Sequence, residues 1–181
     1  MKSIKYIALS AFLTVSALSA VLYNSCTKDK CKGVTCQNGG TCSGGNCVCP
    51  SGSTGTSCET IYEESFVNTY KGTGTDDGTP VNTYTDFRFI FSIPSSSTDL
   101  VTMNITIQDN TGAAAGIPVL TVTLANFSAS GATFTVNSTT SGGLTYTGSG
   151  TISGTTASII LKETPTTGSA LTYTFAALAK V

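Results

Sequence analysis

The chain has 181 residues, of which 10% are charged, and its 9 basic and 10 acidic residues give a formal net charge of −1. It contains no histidine, which excludes a Ser-His-Asp triad, a Cys-His pair, a histidine-ligated metal and an imidazole switch. The low charge, without a basic cluster, also argues against nucleic-acid binding. The 33 threonines and 22 serines favour strands and turns over helices.

The first 25 residues have the pattern of a secretory signal. Lys2 and Lys5 form a positive start, and a largely apolar run follows from Tyr6 to Leu22. This run of about 17 residues is at the lower limit for crossing a bilayer, so an uncleaved membrane anchor is the alternative.

Cys26 follows the apolar run and stands apart from the other six cysteines, which lie within Cys31–Cys58. The pattern over residues 1–30 resembles a bacterial lipoprotein of the Bacteroidota type, in which the signal is cut before a cysteine that then carries fatty acids such as palmitate. The resemblance implies a signal peptide at 1–25, lipidation of Cys26 and a tether at 26–30. It also implies lipid anchoring in the outer membrane, on its periplasmic or its surface-exposed face. The alternative for Cys26 is an unpaired thiol.

The other six cysteines lie in a short segment that has almost no aliphatic side chains. They are Cys31, Cys36, Cys42, Cys47, Cys49 and Cys58. Such a segment cannot bury a hydrophobic core, so covalent cross-links must hold it together, which requires an oxidising compartment. The spacing alone leaves every pairing open. A metal cluster is disfavoured because there is neither a pair of Cys-x-x-Cys units nor a histidine.

Three stretches of this segment resemble an EGF-like domain: Cys36–Cys42, Cys47–Pro50 and Gly55–Cys58. The resemblance implies an EGF-like domain at 31–58. It also implies the disulfides Cys31–Cys42, Cys36–Cys47 and Cys49–Cys58.

After a linker at 59–64, residues 65–181 alternate apolar with polar side chains and are long enough to bury a core. The alternation in Phe87–Ile93 and in Val101–Ile107 places large apolar groups on one face of two strands, which we expect to pair as a hairpin. Shorter runs follow at Leu120–Leu124, Phe134–Val136, Leu144–Tyr146, Ile159–Leu161 and Leu171–Phe175. The chain is thus predicted to be mainly β, with about eight antiparallel strands in a meander that forms a barrel or a sandwich.

Two stretches, Phe66–Lys71 and Tyr146–Gly154, resemble small lipocalin-like domains of Bacteroidota lipoproteins. The resemblance spans most of residues 65–181 and implies a lipocalin-like barrel. Gly148, Gly150 and Gly154 fit a strand that bends sharply at a barrel corner.

Three groups of residues could carry chemistry, and each also has a structural interpretation. Asp76-Asp77-Gly78 could bind calcium but is first of all a turn signal. Glu63-Glu64 could act as acid and base, but we interpret them as solvated linker charge. A carbohydrate or peptide surface could be lined by Tyr70, Tyr84, Tyr146, Tyr173 and Arg88, although such residues more often cover barrel ends.

Three classes of function remain. We favour a non-catalytic lipoprotein of the cell envelope, acting in binding, adhesion or scaffolding towards a protein or a glycan. The second class is a lipocalin-like carrier of a small apolar ligand, which is disfavoured because Phe87, Phe89 and Phe91 would fill a narrow barrel. The third is a hydrolase, which would need two converging carboxylates. The sequence thus predicts no catalytic residue, no metal, no cofactor and no nucleic-acid partner.

Overall fold

The computed structural model describes residues 29–95, 99–128 and 130–181. The predicted signal peptide and Cys26 lie outside these residues. The described chain is mainly β and consists of a disulfide-rich N-terminal module and a closed, eight-stranded antiparallel barrel. The predicted fold class is confirmed, and of the two predicted architectures, barrel and sandwich, the structure has the barrel.

The N-terminal module has little regular structure. Its strands form two short antiparallel pairs, β1 (Thr41–Ser43) with β2 (Asn46–Val48) and β3 (Ser53–Thr54) with β4 (Thr60–Ile61). Disulfides join Cys31 to Cys42, Cys36 to Cys47 and Cys49 to Cys58. These are the pairs that the EGF-like resemblance implies. Because the hydrophobic core cluster of the described residues begins only at Phe66, the module depends on these cross-links.

A one-turn helix, α1 (Tyr62–Phe66), connects the module to the barrel. Glu63 is only 4% exposed, and its Oε2 atom is buried without a hydrogen-bond partner. The interpretation as solvated linker charge is therefore wrong for Glu63, whereas Glu64 is exposed. The reason is the helical turn, which brings Glu63 and Phe66 to the same inward face because residues three apart are neighbours on a helix.

The barrel is an up-and-down meander. Its strands are β5 (Thr69–Asp76), β6 (Thr83–Ser92), β7 (Thr102–Gln108), β8 (Leu120–Ser128), β9 (Gly131–Ser141), β10 (Leu144–Ile152), β11 (Thr156–Pro165) and β12 (Leu171–Lys180). Each strand pairs with the next, and β12 pairs with β5 to close the barrel. The predicted hairpin of β6 and β7 is present, with Phe89 opposite Ile107 and Phe91 opposite Ile105.

Large apolar side chains fill the barrel interior, as the period-two pattern predicts. The largest of the fully buried ones are Tyr70, Phe89, Phe91, Phe134, Met103, Ile105, Ile107 and Leu120. Ile93, however, is 37% exposed and lies beyond the end of β6. Its predicted place in the core is wrong because Pro94 offers no N–H to the sheet and restricts the residue before it, so that β6 ends at Ser92.

The glycines of β10 allow close packing between neighbouring strands. A Cβ atom at Gly148 would lie 2.3 Å from the Ile160 carbonyl oxygen, and one at Gly150 would lie 2.1 Å from the Ser158 carbonyl oxygen. The pairing of β10 with β9 also shifts register between Tyr146 and Gly148. Gly154 differs from both, because it lies in the turn after β10 with open space around it.

The module contacts one end of the barrel, which we call the proximal end and which comprises the described residues 93–95, 99–101, 130 and 153–155 between the strands. A Cβ atom at Gly52 would lie 2.3 Å from the Leu100 carbonyl oxygen, so the two backbones are in close contact. The ring of Tyr62 stacks on Phe127, with centroids 5.3 Å apart. The opposite, distal end comprises the turns at 77–82, 109–119, 142–143 and 166–170. Within the described ranges, no helix has the length and apolar character needed to cross a membrane.

Candidate functional site

A cavity of about 260 Å³ opens at the distal end of the barrel. We call it the distal cup; it is lined by Tyr84, Phe87, Ala115, Gly116, Ile117, Leu144, Tyr146, Glu163, Tyr173 and Phe175. Half of these residues are aromatic, and Glu163 is the charged residue among them. Below the cup, Phe175 packs against the buried Phe89 with ring centroids 4.7 Å apart, so the cup rests on the filled core.

Strand register brings the polar and aromatic groups of the cup together. Tyr146 on β10 lies opposite Glu163 on β11, and Tyr173 on β12 lies opposite Asp76 on β5. Directly opposed residues of antiparallel strands point to the same face of the sheet, here the barrel interior. Closure of the barrel therefore brings together side chains that lie far apart in sequence.

Gly74 makes room for the floor of the cup. It is buried opposite Phe175, and a Cβ atom at this position would lie 2.3 Å from the Phe175 ring. The missing side chain lets this ring lie directly against β5.

The aromatic rings of the cup meet at steep angles. Tyr84 contacts Phe87 at a centroid distance of 5.5 Å and an interplanar angle of 79°, and it contacts Tyr173 at 5.7 Å and 64°. Phe87 also approaches Phe175, at 5.9 Å and a shallower angle of 34°. The edge-to-face packing of Tyr84 with Phe87 and Tyr173 is favourable beyond area burial and helps to orient these rings.

Asp76 holds one wall of the cup in place. This carboxylate is 5% exposed and accepts hydrogen bonds from the backbone N–H groups of Asn82 (2.9 Å) and Gly78 (3.1 Å), the Asn82 side chain (2.9 Å) and the Tyr84 hydroxyl (2.8 Å). These bonds, led by that from the Asn82 backbone, lower the pKa of Asp76 to about 2. The turn interpretation of Asp76-Asp77-Gly78 is confirmed, since Asp76 closes the β5–β6 turn.

Glu163 supplies negative charge inside the cup. It lies directly opposite Tyr146 on the neighbouring strand. Burial raises the pKa of Tyr146, and the charge of Glu163 raises it further. Burial, followed by the same charge, raises the pKa of Tyr173 to about 12. The carboxylate and the tyrosines therefore share a negative, partly desolvated environment.

The predicted aromatic surface is assembled only in part. Tyr84, Tyr146 and Tyr173 converge in the cup. Tyr70 instead lies fully buried towards the proximal end, where its hydroxyl donates a hydrogen bond to the Ser153 carbonyl. Arg88 follows the inward-facing Phe87 on β6 and therefore points to the outer face.

Sequence reasoning missed Glu163 and the loop residues Ala115, Gly116 and Ile117. The signal for Glu163 was present, because it follows the buried Ile159 and Leu161 at the same two-residue spacing and so faces inward. The loop residues reach the cup through the fold of the 109–119 turn, which carries no periodic signal.

A second cavity, of about 290 Å³, lies at the proximal end. Its lining is rich in hydroxyl groups, and several of these already bond to one another, as in the 3.0 Å contact of Ser128 with Ser130. Asn126 likewise bonds Thr133 at 2.9 Å. This cavity lies at the end that the module contacts. Nowhere in the described chain do three or more His, Cys, Asp or Glu residues group in a way that could hold a metal ion.

Comparison with known proteins gives one match. No family model matches the chain, and no curated protein matches it. A solved structure of a candidate outer membrane protein from Bacteroides fragilis NCTC 9343 aligns with 66% of this chain at 20% identity and a TM-score of 0.48. The aligned part covers 52% of that protein, so the present chain spans about half of its length. The lipoprotein and EGF-like resemblances thus remain predictions.

Proposed function

We propose that this chain is a non-catalytic, lipid-anchored protein of the cell envelope whose barrel binds a protein or glycan partner at the distal cup. The observation that carries the proposal is the cup itself, where five aromatic rings and a carboxylate surround an open cavity. Aromatic residues with a polar tip are enriched at recognition surfaces. The cup also lies at the end of the barrel opposite the N-terminal module, which leaves it accessible when the N-terminus is tethered.

The sequence supports the envelope location. The signal-like first 25 residues and the isolated Cys26 fit a lipoprotein, and the three disulfides of the module require an oxidising compartment. More than one acyl chain on Cys26 would give stable membrane residence, whereas a single chain is marginal. Either face of the outer membrane is compatible with this arrangement.

The state of the two carboxylates nearest the cup supports a non-catalytic role. Hydrolysis by carboxylates needs one group that holds a proton and a second that is ionised, both directed at the substrate. Asp76 is committed to four hydrogen bonds, and its low pKa makes it a poor proton donor. Glu163 is then left without a second acid among the residues that line the cup.

Carriage of an apolar ligand inside the barrel is less well supported than binding at the cup. Below the cup, the interior is occupied by fully buried side chains such as Phe89, Phe91, Phe134 and Met103. The cup itself is slightly smaller than the roughly 300–1,000 Å³ typical of pockets for drug-sized ligands. These side chains therefore favour recognition at the barrel mouth.

Filling the cup tests the proposal. Ala115 lines the cavity, whereas its neighbour Ala114 is exposed and does not. In a Cys26→Ser background, which carries no acyl chains, we expect Ala115→Trp to weaken binding of the purified chain to isolated cell envelopes about tenfold or more, and Ala114→Trp to leave it unchanged. Envelopes treated with protease distinguish a glycan partner from a protein partner. Equal binding by the wild type and both variants would contradict the role of the cup.

A further inference from the structure

We propose that the distal cup recognises an organic cation, specifically an alkylated ammonium group such as that of choline. The proposal deepens the function proposed above and rests on the cup being the binding site. It concerns the chemical class of the group that enters the cavity. Three properties of the cup carry it: the arrangement of its rings, its charge and its size.

The rings surround the cavity from several directions. Tyr84 stands at 79° to Phe87 and at 64° to Tyr173, and Phe175 forms the floor with its ring at 34° to Phe87. A flat sugar ring is recognised best by one broad aromatic platform, whereas rings at steep angles present several faces to one compact group. The face of an aromatic ring is its electron-rich side and attracts a cation within about 6 Å of the ring centre.

The charge of the cup is negative and is not compensated within its lining. Glu163 faces the cavity, and the lining contains neither lysine nor arginine. The ion pair found in the described part of the chain, Lys71 with Asp86, involves a different carboxylate. An anionic ligand would be repelled here, whereas a cation would be attracted.

Asp76 adds to the negative electrostatic potential of the cup through its hydrogen bond with Tyr84. Because the Tyr84 hydroxyl donates a hydrogen bond of 2.8 Å to an ionised carboxylate, its ring becomes more electron-rich. The raised pKa values of Tyr84 and Tyr173 agree with such a field, since carboxylate charges act after burial in raising each of them. The ring that forms one wall therefore stays neutral and electron-rich at physiological pH.

The size of the cavity restricts the ligand to a small group. About 260 Å³ accommodates a trimethylammonium head with a short chain, and Ala115, Gly116 and Ile117 form an apolar rim against its methyl groups. Alkylated ammonium groups are weakly hydrated and lose little on entering such a site, unlike a bare ammonium ion. Partial desolvation strengthens the attraction between cation and ring.

A pair of probes of nearly equal shape tests the proposal. Choline and its uncharged carbon analogue 3,3-dimethylbutan-1-ol differ in charge and hardly in size. Binding of each to the full chain in a non-ionic detergent can be measured by isothermal titration calorimetry and by tyrosine fluorescence, which no tryptophan obscures. We expect choline to bind about tenfold more tightly than the alcohol.

Variants locate the binding and identify its cause. Glu163→Gln keeps the shape of the side chain and removes its charge, so we expect it to weaken choline binding about fivefold to tenfold and to leave the alcohol unaffected. Tyr173→Leu removes one ring and should also reduce the preference for choline. Asp86→Asn serves as a control, because Asp86 is an exposed acid paired with Lys71 outside the cup.

The outcomes separate this inference from the proposed function. If both probes bind equally and Ala115→Trp abolishes both, the cup is a binding site but does not select cations, and the inference is overturned. Absence of binding by either probe also overturns it, while the envelope-binding experiment still decides the proposed function. A choline preference that survives both Glu163→Gln and Tyr173→Leu in folded protein would place the cation elsewhere and would likewise refute the inference.

Discussion

Asp76 links the local structure of a turn to the shape of the distal cup. It is the last residue of β5, and its carboxylate accepts bonds both from the turn that follows and from Tyr84 in the cup wall. The hydrogen bonds stabilise the charged form, which is why its pKa falls to about 2. One side chain thus determines both where the strand ends and where a ring of the cup stands.

This pKa predicts an acid-dependent loss of stability. The folded-state pKa lies below the value of about 4 in an unfolded chain, so the stabilisation is complete above pH 4 and is lost as the pH falls towards 2. We expect Asp76→Asn to lower the melting temperature by several degrees at pH 7 and by much less at pH 2, as measured by circular dichroism. A difference that stays constant between pH 7 and pH 2 would contradict this assignment.

The pKa of Glu63 is shifted in the opposite direction to that of Asp76. Burial, followed by the charges of Asp99 and Glu64, raises the pKa of Glu63, so the folded state disfavours its ionised form. The cost is present at neutral pH and disappears as the pH falls below the unfolded-state value. We therefore expect Glu63→Gln to raise the melting temperature by a few degrees at pH 7 and to have no effect near pH 3. The exposed Glu64→Gln is the matched control, and a destabilised Glu63→Gln variant at pH 7 would refute the prediction.

Single elements show how far sequence patterns predict the fold. Strict alternation in β6 and β7 identified both strands and their pairing, because only one of their faces is buried. The pattern failed at Ile93, where the strand had already ended, and at α1, which is too short to show a helical period. In the cup, the three tyrosines were among the predicted candidates, but the register that groups them with Glu163 requires the closed barrel.

Substitutions of glycine in and after β10 test how closely this strand packs against β11. In Gly150→Ala, the added methyl group would lie 2.1 Å from the Ser158 carbonyl oxygen and 2.4 Å from the Phe134 ring. We expect this variant to lose about 1–3 kcal/mol of unfolding free energy in urea titrations, as in other overpacked sites. Gly154→Ala, which meets no atom within 4 Å, should be neutral. Equal stability of the two variants would mean that β10 and β11 are not so closely packed.

At the scale of the whole molecule, two units of different construction share one chain. The module is held by three disulfides, and the barrel by a hydrophobic core cluster that contains no cysteine among the described residues. Their contacts, Gly52 with Leu100 and Tyr62 with Phe127, lie at the proximal end. The two units should therefore respond differently to reduction.

Under a reducing agent, we expect amides of residues 31–58 to lose protection in hydrogen exchange, whereas the barrel strands keep theirs. Loss of a disulfide lowers the free energy of unfolding of a small domain by about 2–5 kcal/mol, and a module without a hydrophobic core cannot offset this loss. Simultaneous loss of protection in both units would show that the barrel depends on the module.

The functional proposal depends on the molecule having a tethered end and a binding end. The most direct test is intact mass spectrometry of the protein extracted from envelopes of cells that make the full chain. We predict a mature N-terminus at Cys26 that carries fatty acids, and a Cys26→Ser variant that no longer partitions into detergent. A mature chain with an unmodified Cys26 thiol, or one that begins at another residue, would contradict the proposal.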